Sequence, residues 1–201
     1  MPARIAALPR DRRGYPIPFV VMRDGRGDPH FTMNDLQLVA RAASDGLCSI
    51  CGEKLGAWKA MAGGPASAFH PEGAYFDGPL HRECGEYALR VCPWLATPGW
   101  SKRIGARTLR PGAVPDGAML VAEDVTVHPD QPPVFVLITT KRVDGIDARH
   151  YRPRRPYGAV SYWRGGEQLG AAEARRLIEA GWTGACPIED LVWPTKAEER
   201  T

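Results

Sequence analysis

Cys48-Ser49-Ile50-Cys51-Gly52 and Leu80-His81-Arg82-Glu83-Cys84-Gly85 decide how this chain is read. Each stretch carries two metal-ligating residues separated by two others, and 29 residues lie between Cys51 and His81. Thiolate sulfur and imidazole nitrogen are the donors a d10 ion prefers, and three Cys with one His complete a tetrahedron. The spacing predicts one Zn2+ on Cys48, Cys51, His81 and Cys84. Four protein donors leave no position open to water, so the expected role is structural rather than catalytic.

The residues between the two pairs supply the local frame. Cys48 to Gly52 reads as a knuckle turn. The Gly-rich stretch 57–77 reads as a hairpin with strands near 58–61 and 66–69. A helix is expected over 79–92, opened by Pro79 and stopped by Pro93. On that helix His81 and Cys84 are i, i+3 and face one way, and the helix start favours a thiolate. Knuckle, hairpin and ligand-bearing helix is the order of a treble-clef finger. Cys92 follows Cys84 by eight residues, about 12 Å along a helix, too far to share the ion. It continues a stripe with Ala88 and Val91, and Cys186 before Pro187 is likewise expected to be buried.

Upstream, residues 1–13 read as a flexible arm, with Arg and Pro continuing to residue 16. Residues 19–22 and 30–33 read as two strands around the turn at 24–28. Asn34 is expected to cap a helix with Leu36, Val39, Ala40 and Ala43 inward and Gly46 at its end. Downstream, residues 98–116 form a linker with Pro98, Pro111 and Pro115. Strands are expected at 119–127, 134–143 and 159–163, with turns at Asp144-Gly145 and Gly165-Gly166. A helix over 172–180 directs Ala174, Leu177 and Ile178 inward. The expected fold is α+β: a treble-clef-like zinc module, 14–97, and a small antiparallel sheet packed with a helix, 117–193. The tail, 194–201, is expected to be disordered from Lys196.

The 201 residues, 44% of them apolar, suffice for a real core. No apolar run approaches the roughly 18 residues of a membrane span. There is no secretory h-region, and five cysteines clustered largely around one site are not a disulfide framework. These features read as a cytoplasmic protein. The net charge of +3 permits nucleic-acid contact without demanding it.

Three functional readings follow from the residues. The first is a non-enzymatic zinc protein that binds a macromolecule, with nucleic acid as first candidate. It rests on Arg149, Arg152, Arg154 and Arg155 around Tyr151, where guanidinium groups suit phosphates and the ring suits base stacking. Lys102, Arg103, Arg107 and Arg110 form a second basic cluster. The second reading is a protein-interaction or regulatory factor. The third is an HNH-like nuclease, with His70 as general base and Glu72 and Asp77 on a metal ion. Against it, Gly85 follows the last ligand where such nucleases carry His or Asn. No Walker, nucleophile-elbow, dinucleotide or HExxH motif occurs.

Several stretches together resemble a family of small, functionally uncharacterised zinc-module proteins of phages and bacteria. They are Gly14-Tyr15-Pro16-Ile17-Pro18-Phe19-Val20, Cys48 to Gly52 with Leu55-Gly56, Gly64-Pro65, Pro79 to Ala88, and Cys92-Pro93-Trp94-Leu95. The resemblance covers roughly 14–97. It departs at Gly78 and Trp94, where members tend to carry Pro and Phe. It implies zinc binding and a phage origin, and it brings no activity.

Overall fold

Phe135-Val136-Leu137-Ile138-Thr139-Thr140 is buried at every position, the pattern of a strand covered on both faces. The computed structural model describes residues 1–98, 131–147, 150–182, 184 and 186–199, and this strand is the centre of its fold. In chain order the elements are α1 (Ala3–Ala6), β1 (Val21–Arg23), β2 (Pro29–Asn34), α2 (Leu36–Asp45), β3 (Lys59–Gly63), α3 (Pro65–Phe69), α4 (Arg82–Val91) and α5 (Pro93–Ala96). Then come β4 (Phe135–Thr140), β5 (Val143–Gly145), β6 (Tyr151–Pro153), β7 (Ala159–Arg164), β8 (Glu167–Leu169), α6 (Ala171–Ala180) and a 3-10 turn at Ile188–Asp190.

The main sheet has strand order β3-β4-β7-β8 and is antiparallel throughout. Side chains alternate across β4, and this sorts the core into two layers. Val136 and Ile138 join Met61, Val160, Tyr162 and Phe69 under Ala174 and Ile178 of α6. Phe135 and Leu137 join Ala60 and Trp163 on the other face, with Cys48, Cys84 and Leu89. The expected cysteine ligands thus belong to or pack against a core layer that includes the C-terminal strands.

Strands from either side of residues 98–116 meet in this sheet. β3 pairs with β4 over five positions, Lys59↔Thr140 to Gly63↔Val136, so the N-terminal module and the C-terminal unit contribute to one sheet. The expected 58–61/66–69 hairpin is not formed. Pro65 takes the first helical position of α3, where its missing N–H is no loss, and residues 66–69 are helical. The other edge of β3 meets the segment before α4 through reciprocal Ala60–Leu80 hydrogen bonds of 2.8 and 2.9 Å.

Other boundaries shift for local reasons. Asp35 rather than Asn34 caps α2, its carboxylate accepting from Gln37 N and Leu38 N. The buried face is Val39 and Ala42, while Ala40 and Ala43 are exposed. Gly46 ends the helix in the left-handed region, φ 61°, as expected. Gly165 and Gly166 both have positive φ, which the tight β7–β8 turn requires. Asp144-Gly145 lies within β5 rather than in a turn. Neither end is loose where it is described. Ile5 of the arm is fully buried, and Glu198 of the tail is 7% exposed. The expected strand at 119–127 and the cluster Lys102, Arg103, Arg107 and Arg110 lie outside the described residues.

Candidate metal centre

The knuckle is set by its own backbone. Gly52 N donates to Cys48 O and Cys48 N to Glu53 O, both at 2.8 Å. Gly52 holds φ +74°, and a Cβ there would come within 2.8 Å of the Phe19 ring. Only glycine meets both demands. The chain before β1 braces the turn, with Phe19 N donating to Ile50 O at 2.8 Å.

The second pair is presented by α4. His81 is the residue before the helix, in extended conformation with no side-chain cap bond, and Cys84 lies in the first turn. The helix therefore starts later than Pro79 suggested, and the imidazole stays free to face the knuckle. His81 Nδ1 lies 3.3 Å from Cys51 Sγ, and His81 N donates to Cys48 Sγ at 3.4 Å. His81 Nε2 lies 3.0 Å from Lys54 O and 2.8 Å from Arg4 Nη1, while Nδ1 faces the Cys51 sulfur.

One donor atom from each of Cys48, Cys51, His81 and Cys84 lies within 4.8 Å of every other. A tetrahedral zinc shell has ligand–ligand edges of about 3.5–3.8 Å, so the widest separation is within about 1 Å of that size. Cys48 and Cys84 are fully buried; Cys51 and His81 are half-buried. The donor set fits Zn2+ on chemistry as well as spacing. Bound there, the ion supplies cross-linking of the knuckle to α4.

Without the ion the sulfurs share protons unevenly. A hydrogen bond with Cys84, opposed by desolvation and aided by backbone donors at Cys51, His81 and Ile50, pulls the Cys48 thiol down to about 5. Desolvation pushes Cys51 up, and the hydrogen bond to Cys48 pushes Cys84 well up.

No family model, curated protein or solved structure matches the chain. The site is therefore read from its own chemistry. Cys92 and Cys186 stand apart from the cluster and are half-buried.

The basic–aromatic segment is placed differently from what its composition suggested. Tyr151 is 6% exposed within β6, packed in the core rather than presented for stacking. Arg152 pairs with Glu72 at 2.8 Å and Arg154 with Asp144 at 2.6 Å. Arg155 pairs with Glu198 at 3.3 Å and lies over the Tyr157 ring. Arg149 is outside the described residues. The nuclease triad does not assemble either. His70 Nδ1 accepts from Glu72 N, and Glu72 is committed to Arg152. Among the described residues, Cys48, Cys51, His81 and Cys84 form the only metal-competent group.

The sequence reading missed the outer contacts of the centre. Arg4 of α1 reaches Glu53, Glu83 and His81, and the Lys54 carbonyl faces the imidazole. Ile5 amid charged and small residues was the one local sign that the arm docks. No described helix is long and apolar enough to cross a membrane.

Proposed function

We propose that this protein is a non-enzymatic scaffold organised by one structural Zn2+ on Cys48, Cys51, His81 and Cys84, and that it binds a macromolecular partner. The observation that carries the zinc role is the mutual approach of three sulfurs and one imidazole nitrogen within 4.8 Å, half of the set fully buried. A complete Cys3His shell offers substrate no coordination position, which favours an architectural ion over a catalytic one. Knuckle, bridging strand and ligand-bearing helix also support a treble-clef-like reading, with the usual hairpin reduced to the Ala60–Leu80 bridge.

Elemental analysis of untagged protein tests this directly. One zinc per chain is expected, lost in Cys84→Ser and kept in Cys92→Ala. Metal-free protein that remains fully folded would sink the proposal.

For the partner, the favourable surface is Tyr15 and Phe31 beside Arg13, which pairs with Asp11 at 2.7 Å yet keeps a 60% exposed side chain, rather than the 149–155 segment. Both rings are exposed, and the guanidinium carbon lies 5.2 and 5.6 Å from their centroids. Exposed aromatics interleaved with arginine suit base stacking and protein hot spots alike. Salt-sensitive retention of single-stranded oligonucleotides, lost in Tyr15→Ala/Phe31→Ala, would identify nucleic acid. A stoichiometric partner surviving nuclease treatment, released by the same variant, would identify a protein factor.

A further inference from the structure

The metal centre is closed by a segment 77 residues away in sequence. Helix α1 lies over it, anchored by Ile5, which is fully buried in the layer that contains Cys48 and Cys84. The preceding residue, Arg4, turns its side chain to the centre. Its Nε pairs with Glu83 Oε1 at 2.5 Å and its Nη1 with Glu53 Oε2 at 3.1 Å. Nη1 also lies 2.8 and 3.1 Å from the two ring nitrogens of His81, whose Nδ1 is 3.3 Å from Cys51 Sγ. One cation thus touches the imidazole ligand and a carboxylate beside each pair.

Charge makes this placement consequential. Zn2+ with three thiolates and a neutral imidazole carries a net charge of −1. Glu53 and Glu83 add two further negative charges at the same surface. Among the described residues, the ion pairs of both carboxylates run to Arg4. Nearby cations are turned elsewhere: Lys54 Nζ donates to Asp45 O and Arg82 to Glu86. Without Arg4, two carboxylates would face an anionic centre with no cation between them. Those two would be pushed apart along with the knuckle and the α4 start that carry them. Arg4 covers the half-buried His81, beside the half-buried Cys51.

Resting on the zinc reading above, we propose that Arg4 is an outer-sphere residue of the metal centre, held in place by Ile5, that retains the ion by bridging Glu53 and Glu83 over His81, beside Cys51. The N-terminal turn is then a strap on the centre rather than an arm. Outer-sphere partners of metal ligands typically change metal affinity about 10–100-fold. A guanidinium can donate to two carboxylates and still face the ligands, whereas an ammonium is a single point.

The test is zinc transfer from the full chain to a chromophoric chelator, with zinc content measured on every starting preparation. Arg4→Ala should release zinc at least tenfold faster than wild type, and Arg4→Lys should fall between. Alkylation mapped by mass spectrometry should reach Cys51 before Cys48 or Cys84 in Arg4→Ala. Adding Glu53→Gln and Glu83→Gln to Arg4→Ala should recover part of the retention, because the uncompensated charges are gone. Leu89→Ala is the control for general loosening, since Leu89 is fully buried in the same layer and contacts no ion pair of the strap. Wild-type release from Arg4→Ala, or equally fast release from Leu89→Ala, would overturn the role of Arg4 while leaving the zinc site intact. A wild-type preparation without zinc would instead overturn the structural-zinc reading, and this proposal with it.

Discussion

Removing the zinc ion should unfold the C-terminal strands as well as the knuckle. Apparent binding free energies of structural zinc sites are about 10–16 kcal/mol near neutral pH, whereas a whole domain is stable by about 5–15 kcal/mol. Loss of the ion therefore removes as much as the fold has to spare. The structure says where that loss is felt. Phe135, Leu137 and Trp163 share a core layer with Cys48 and Cys84, and β3 is hydrogen-bonded along β4. Leu137 is also in reach of the α4 backbone, since a Cβ on Gly85 would lie 2.7 Å from its Cδ1. The assay is hydrogen exchange by mass spectrometry before and after chelation, following β4 and β7 beside the knuckle and α4. All four should lose protection together. The reciprocal perturbation, Leu137→Ala, should cost about 2–5 kcal/mol and lower protection of the knuckle and α4 together with β4. Native protection of β4 and β7 in chelated protein, with loss confined to the knuckle and α4, would refute the single shared core.

Zinc binding to the unfolded metal-free chain at pH 7 should release about three protons, because Cys48, Cys51 and Cys84 are then ordinary thiols with pKa values of about 8.5 and must all ionise to hold the metal. Affinity should therefore fall as pH falls, and calorimetry in buffers of different ionisation enthalpy would read the proton count; no release would contradict the thiol assignment. Burial pushes the Glu198 carboxyl up, but the Thr195 and Tyr157 backbone donors and Arg155 outweigh it and leave it below the usual range. Its contribution is present above the ordinary Glu value and lost as pH falls through the lowered one. Glu198→Gln should flatten the acid side of a stability–pH profile, and Glu198→Ala should cost about 1–3 kcal/mol; an unchanged profile would count against the docked tail. Gly85→Ala should destabilise by about 1–3 kcal/mol through overpacking on Leu137, less so in a Leu137→Val background. Additive unfolding energies for that pair would argue against the contact. Arg154→Ala should alter stability by about 1 kcal/mol or less and leave any oligonucleotide binding unchanged; a clear loss of binding would return the 149–155 segment to consideration.

The sequence by itself determined the four donors and the frame around them. Two-residue spacings in a knuckle and across a helix start place ligand atoms through local backbone geometry, which a handful of neighbouring residues dictates. The Gly46 stop of α2, the Gly165-Gly166 turn and the inward Ala174 and Ile178 of α6 were legible for the same reason. Tertiary structure decided what lies far apart in the chain. β3 presents the same alternation to residues 66–69 as to β4, and only Pro65 starting α3 and the buried run 135–140 select the latter. Composition counted the arginines of 149–155 as a basic patch, but pairing across the fold neutralises the described ones, Arg155 with a glutamate 43 residues away. Arg4 and His81 meet for the same kind of reason. Coulomb attraction and burial act through space, and no local pattern records which charge a side chain will find when the core closes.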